Sequence, residues 1–218
     1  MRKTILFFVL CILSFTAFSQ SESNDSLSIQ AAIDACIQLR DAAAAGDNAA
    51  IKQSAELLKA CDTDPFSGLK CMDDSLASLN GHLVFNADFA DSLAAGRDVY
   101  QEADDINRTE STRGQYDDGK VHTKSGLAKA NGSVKYTFKS MGRQELAVVP
   151  EAGGKVTLKI HVTNSAGLDK RYDDTTDVRA GQSYRKTVFN LSTDRVNIVE
   201  LEVVNCSNKD CSFVVISN

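Results

Sequence analysis

Two periodicities divide the chain. From Ser26 to about Asp105, apolar residues recur at three- and four-residue spacing, the pattern of helices with one buried face. Ile29, Ile33 and Cys36 share a face of a first helix expected over Leu27 to Ala45, which Gly46-Asp47-Asn48 ends. Ile51, Ala55, Leu58 and Cys61 define the inner face of a second helix, with Asp47 or Asn48 placed to cap its free N–H groups. So short a break predicts an antiparallel helical hairpin. CDTDPFSGLKC, Cys61 to Cys71, follows as a loop marked by Pro65 and Gly68. HLVFN, residues 82–86, reads as a short strand, and Asp88 to Ala103 resumes helical spacing through Phe89, Leu93 and Val99. The polar stretch Asp104 to Lys120 reads as a linker or exposed loop.

Beyond about Lys120 the period becomes two. Val134, Tyr136 and Phe138 alternate with polar residues, as do Leu146 and Val148, then Val156, Leu158, Ile160 and Val162, and later Val199, Leu201 and Val203. Turn chemistry punctuates them at Asn131-Gly132, Met141-Gly142, Gly153-Gly154, Ser165-Ala166-Gly167 and Ala180-Gly181. About seven such strands with no helical signal between them predict an antiparallel β-sandwich or jelly roll. The fold class is therefore α+β, with a helical region at 20–105, a linker at 106–120 and a sandwich at 121–218.

Composition and charge narrow the picture. Arg2 and Lys3, the apolar run Ile5 to Leu13 and the small residues around Ala17-Phe18-Ser19 make residues 1–19 a secretory signal peptide. Cys11 is not a lipidation site on this reading, because Leu10 stands where a small residue belongs. No stretch is long and apolar enough to span a bilayer. Without residues 1–19 the net charge is about −7, so nucleic acid is excluded as a partner. Five cysteines remain, Cys36, Cys61, Cys71, Cys206 and Cys211, in a compartment where disulfides persist.

The runs VKYTF (Val134 to Phe138), QELAVVPE (Gln144 to Glu151), KVTLKIHV (Lys155 to Val162) and VNIVELEVVN (Val196 to Asn205), leading into SFVVISN, resemble bacterial pre-peptidase C-terminal-type β-sandwich modules. The likeness covers about 90 residues and rests on strand pattern, with no diagnostic motif. It implies a small secreted jelly roll of a kind that often coordinates calcium and accompanies a secreted hydrolase. No hydrolase domain precedes the module here.

Candidate chemistry is sparse. In CSNKDC, Cys206 to Cys211, zinc lacks a second ligand pair, since none of His82, His122 and His161 stands at metal-ligand spacing. Four intervening residues are too many for a thiol oxidoreductase. The expectation is a Cys206–Cys211 disulfide clasping a hairpin of the last two strands, adding about 2 kcal/mol. Counting from the helical turn puts Cys36 roughly 13 Å and Cys61 roughly 20 Å up their helices, a turn apart. Cys61–Cys71 is thus preferred, with Cys36 a buried thiol; Cys36–Cys61 is the alternative. In LDKRYDDTTD, Leu168 to Asp177, the acids Asp173, Asp174 and Asp177 are candidate calcium ligands in an acidic loop, with Lys170 and Arg171 as competing partners. No other cofactor is expected. Tyr172 with Tyr184 is the only aromatic pair suited to a sugar, the chain having no Trp. No Gly-x-Ser-x-Gly motif or histidine cluster supports a catalytic triad. Asp-Ser-Leu at 25–27, 74–76 and 91–93, with Asp-Thr-Thr at 174–176, resembles an acidic bacterial O-glycosylation sequon.

The leading expectation is a non-catalytic interaction module of a bacterial envelope, periplasmic or at the cell surface, binding a protein or a glycan. A calcium-binding accessory module of a secreted hydrolase system comes second, and a secreted hydrolase using a carboxylate pair third.

Overall fold

The computed structural model describes residues 24–61, 63–66, 68–73, 77–107, 120–173, 184–191 and 193–218. The expected signal peptide and most of the expected linker lie outside them. Helix α1 spans Asn24–Ala45 and α2 Asn48–Ala60. Their turn is built from two complementary caps. Gly46 takes φ +66°, and the N–H groups of Gly46 and Asp47 return to the carbonyls of Ala43 (3.2 Å) and Ala42 (3.0 Å), which closes α1. Asp47 Oδ1 then accepts from the N–H groups of Ala49 and Ala50, both at 3.1 Å, which opens α2. The hairpin forms as the spacing requires.

After two-residue strands β1 (Asp64–Pro65) and β2 (Lys70–Cys71), helix α3 spans Ala87–Ala94, a 3-10 turn Tyr100–Glu102, and α4 Ala103–Asn107. Eight longer strands follow: β3 His122–Ala128, β4 Ser133–Ser140, β5 Arg143–Pro150, β6 Val156–Asn164, β7 Asp169–Asp173, β8 Arg185–Asn190, β9 Asn197–Asn205 and β10 Cys211–Ser217. They form a sandwich of two five-stranded sheets. Sheet I has the order β1-β3-β10-β5-β8 and sheet II the order β2-β4-β9-β6-β7. Apart from the parallel pair β1–β3, the pairing is antiparallel.

Two cores result, one on each side of sheet I. Tyr136, Phe138, Leu158, Ile160, Leu201, Phe213 and Val215 pack between the sheets. Leu127, Ala147, Val149, Val214 and Ile216 point from sheet I the other way, into a core completed by Ile29, Ile33, Cys36 and Leu39 of α1, Ile51 and Leu58 of α2, and Phe85 and Phe89. The helices are thus a third layer on sheet I, continuous with its core, where the sequence pattern suggested a region of their own.

Several expected elements are corrected. HLVFN forms no strand: Leu83, Val84 and Phe85 are buried, but Phe85 N–H donates to Ser125 Oγ (3.0 Å) and Asn86 caps α3 by accepting from Phe89 N–H (2.8 Å). Burial without pairing leaves the same apolar signature as a strand. The helical spacing from Asp88 to Ala103 is interrupted at Gly96, which takes φ +77°, and resumes only at Tyr100. The expected loop between Cys61 and Cys71 supplies an edge strand to each sheet. LDKRYDDTTD is not wholly a loop, since Asp169–Asp173 is β7, paired with β6. Ser92 of the 91–93 glycosylation pattern is buried, its hydroxyl accepting from Arg97 Nη2 (2.6 Å).

Neither expected disulfide is present; the five described cysteines are free thiols. The last two strands are not a hairpin. β9 lies in sheet II between β4 and β6, while β10 lies in sheet I between β3 and β5, so CSNKDC is a crossover between sheets. Cys206 is exposed, and Cys211 is buried with Sγ against Gly154, where a Cβ would overlap it. Cys61 packs against the helix-side core and Cys71 against the inter-sheet core.

The crossover is clasped by an amide instead. Buried Asn205 donates through Nδ2 to the carbonyls of Ala128 (3.1 Å), Lys129 (3.1 Å) and Lys209 (2.8 Å), and its Oδ1 accepts from Ser207 N–H (2.9 Å) and Ser207 Oγ (2.6 Å). Asp210 adds acceptors for Ala130 N–H (3.0 Å) and Lys129 Nζ (2.8 Å). Replacing Asn205 with Ala strands buried polar groups and should cost roughly 2–3 kcal/mol in urea unfolding. Cys206→Ser should stay within about 0.5 kcal/mol of the parent, an outcome that a disulfide clasp would not allow.

Candidate functional site

The helical layer covers the outer face of sheet I over β3, β10 and β5, leaving Val188 of β8 45% exposed, while the outer face of sheet II carries side chains that reach solvent. Cross-strand register orders that face into rungs. One runs Lys70, Thr137, Glu200, His161, Arg171. A second runs Lys135, Glu202, Lys159, and a third Lys139, Ile198, Thr163, Asp169. Strict alternation produces this face, because Val134, Tyr136 and Phe138 of β4, Leu158 and Ile160 of β6, and Val199, Leu201 and Val203 of β9 all turn inward.

His161 is the centre of the face. Its Nε2 lies 2.9 Å from Asp169 Oδ1 on β7, and its Nδ1 lies 3.2 Å from Glu200 Oε2 on β9. A neutral imidazole donates from one nitrogen only; two carboxylates at two nitrogens call for the imidazolium. The Asp169 hydrogen bond first, and the Glu200 bond second, raise the His161 pKa above its usual value. Beside it, Glu202 accepts from Ser133 Oγ (2.8 Å) and Lys159 Nζ (3.3 Å), and these contacts lower its pKa. The two acids of β9 are therefore each paired across strands, Glu200 with His161 and Glu202 with Lys159 and Ser133, in a lattice spanning β4, β9, β6 and β7.

The residues singled out from the sequence disperse. Tyr172 turns inward, its ring stacked on Phe189 at a centroid distance of 5.4 Å and an interplanar angle of 29°. Tyr184 packs against the helix-side core. The two rings lie on opposite sides of sheet I and form no joint platform. Asp173 ends β7 opposite Lys159, while Asp174 and Asp177 lie outside the described residues. Among the described residues no group of three or more His, Cys, Asp or Glu side chains is arranged to hold a metal ion. Sequence reasoning missed His161, Asp169 and Glu200; only the polar phase of the β6 and β9 alternation hinted at them, and register was needed to join them.

A second cluster lies where the helical layer meets the end of β5. Glu151 accepts from Ser212 N–H (3.0 Å) and Ser212 Oγ (3.1 Å), with His82 Nδ1 at 3.4 Å. Hydroxyl and imidazole both engage the carboxylate, so the imidazole does not serve as base to the hydroxyl in this arrangement. Nearby Cys211 is pushed up to about 12, by burial first and then by Glu151, which keeps it a protonated thiol at neutral pH. The cluster ties the layers together.

No family model matches the chain, and no curated protein does. Among solved structures it is similar to the pre-peptidase C-terminal domain of a collagenase from Bacillus anthracis, at 16% identity and a TM-score of 0.33, over 44% of this chain and 87% of that one. It is also similar to TmCBM61 in complex with β-1,4-galactotriose, at 10% identity and a TM-score of 0.32, over 47% and 83%. A third is PliG of Salmonella Typhimurium, a periplasmic inhibitor of g-type lysozyme, at 18% identity and a TM-score of 0.31, over 50% and 93%. The module type that the strand runs resemble is thus among the matches, and the sandwich itself rests on the strand pairing described above. No helix among the described residues is long and apolar enough to cross a membrane.

The His161 arrangement has a defined pH signature. A folded-state pKa above the unfolded value of about 6.5 makes the contribution complete below that pH and lost as pH rises through the folded pKa. The stability difference between the parent and His161→Gln should shrink over that rise, and a histidine NMR titration should give a midpoint above 6.5 that Asp169→Asn lowers. A midpoint at or below that value contradicts the bridging geometry.

Proposed function

We propose that the chain is an exported, non-catalytic binding module that seats a protein partner on the open face of sheet II. The observation that carries this reading is the outward row of β9 and the residue before it: Val196, Ile198, Glu200, Glu202, Val204. Val196 and Ile198 are 43% and 44% exposed, and Met72, beside Lys135 at the edge of the same sheet, is 50% exposed. They are three of the five large hydrophobic residues exposed among the described residues. Apolar side chains on and beside a central strand, with charged groups around them, match the anatomy of a protein interface. Glu202 and Glu200 are already paired across strands with Lys159 and His161, which lowers what a partner must desolvate there.

Protein is favoured over glycan because no Trp, Tyr or Phe among the described residues points out of this face, and Tyr172 is committed to Phe189. The non-catalytic reading is supported by the protonated Cys211 thiol and by the separation of Ser212 from His82 by a shared carboxylate. Export rests on the charged, apolar and small-residue succession of residues 1–19.

A photo-crosslinking residue placed at Ile198 should capture one defined protein in the native host, while the same residue at Leu57 on α2 should not. Ile198→Asp should weaken binding of that purified protein at least tenfold and leave the melting temperature within about 1 °C, as expected for an exposed position. Equal capture from both positions, or binding indifferent to Ile198→Asp, would overturn the assignment of the face.

A further inference from the structure

Given the reading of sheet II as a protein-binding face, we propose that its occupant is an acidic, extended segment of the partner. Its carboxylates meet Lys70, Lys135 and Lys139, and an apolar side chain at each end meets Met72 and Ile198. Alternation fixes which side chains stand together. Val134, Tyr136 and Phe138 turn into the inter-sheet core, so Lys135 and Lys139 point outward, and both are exposed. On β2, Cys71 packs against that same core, so its neighbours Lys70 and Met72 point outward, again exposed. Lys70 stands opposite Thr137, and Met72 N–H donates to the Lys135 carbonyl (2.8 Å), which carries the β2–β4 register on to that pair. Lys139 stands opposite Ile198 on β9. These positions form a diagonal strip across three strands, with Met72 at one end, Ile198 at the other and three ammonium groups between them.

The charge of the strip is one-sided. Glu200 is held by His161 (3.2 Å), Glu202 by Lys159 (3.3 Å) and Asp169 by His161 (2.9 Å). Glu202 also stands opposite Lys135, and Asp73 Oδ2 accepts from Lys135 N–H (3.0 Å), so Lys135 has carboxylates beside it already. Lys70 and Lys139 face Thr137 and Ile198, which carry no charge. The whole chain has a net charge of −5. A basic strip ending in exposed apolar residues is therefore a local exception, and an acidic partner repelled by the rest of the surface is steered to it. The rise along β4 and the spacing between strands put Met72 and Ile198 roughly 17 Å apart, the span of about five residues of extended chain.

The test selects random peptides displayed on phage against the full chain, then measures resynthesised peptides by fluorescence anisotropy. The expected peptides carry two large apolar residues about five positions apart with Asp or Glu between them. Lys139→Glu and Lys70→Glu should each weaken such a peptide about tenfold and Lys135→Glu less, while Lys52→Glu, the same change at an exposed position on α2, should stay within about twofold. Lys139→Gln, which removes a charge without adding one, should weaken binding about threefold and flatten its dependence on salt between about 50 and about 300 mM. Melting temperatures should stay within about 2 °C of the parent, as for exposed positions generally. Selected peptides rich in Lys and Arg, or acidic ones as sensitive to Lys52→Glu as to Lys139→Glu, would overturn the acidic occupant. So would polygalacturonate binding as tightly as the peptides and ignoring Ile198→Asp, since an acidic glycan meets the lysines without the apolar ends. Where the selected peptides lose binding with Ile198→Asp but not with the lysine variants, the docking face stands and its assigned chemistry falls. A selection whose products all ignore Ile198→Asp removes the face itself.

Discussion

Strand β10 has no polar face, and the architecture depends on that. Every residue from Cys211 to Ser217 is buried, with Phe213 and Val215 turned toward sheet II and Val214 and Ile216 toward the helices. A sandwich alone satisfies only half of this strand. Leaving a Val or Ile of this kind in water costs roughly 1.5–3 kcal/mol. Leu127, Val149, Val214 and Ile216 together would then forfeit an amount comparable to the 5–15 kcal/mol stability of a typical domain. The helical layer is a requirement of sheet I.

From this follows the asymmetry that separates scaffold from function. Sheet I, with apolar side chains packed on both faces of β3, β10 and β5, holds the layers together, and His82, in the segment before α3, meets it at Glu151 and Ser212. Sheet II buries one face only, and its other face carries cross-strand charge pairs around Val196 and Ile198. The chain passes from one sheet to the other at Cys206 to Cys211, where the side-chain amide of Asn205 ties the carbonyls of Ala128, Lys129 and Lys209 together.

Much of the fold is legible in the sequence where one local rule governs. The α1–α2 hairpin follows from Gly46 and Asp47, and β4, β6 and β9 follow from strict alternation. Legibility fails where the deciding contact is distant. β3 lacks alternation because Gly126 was placed by Tyr136 and Phe213, whose hydroxyl and ring occupy the space of a Cβ. β7 reads as a charged loop because the positions that face solvent are Asp169 and Arg171. Cys206 and Cys211 invite a hairpin clasp because sequence spacing does not reveal that the two strands belong to different sheets. The His161 bridge is invisible for the same reason: Asp169 is eight residues away and Glu200 thirty-nine.

The most direct test of the account is to produce residues 120–218 without the helical layer. Dependence of sheet I on the helices predicts a fragment that exposes the Val214 and Ile216 face, binds a hydrophobic dye, and lacks a cooperative melting transition. A monodisperse fragment that melts cooperatively near the temperature of the full chain, with its β10 amides equally protected from exchange, would contradict it.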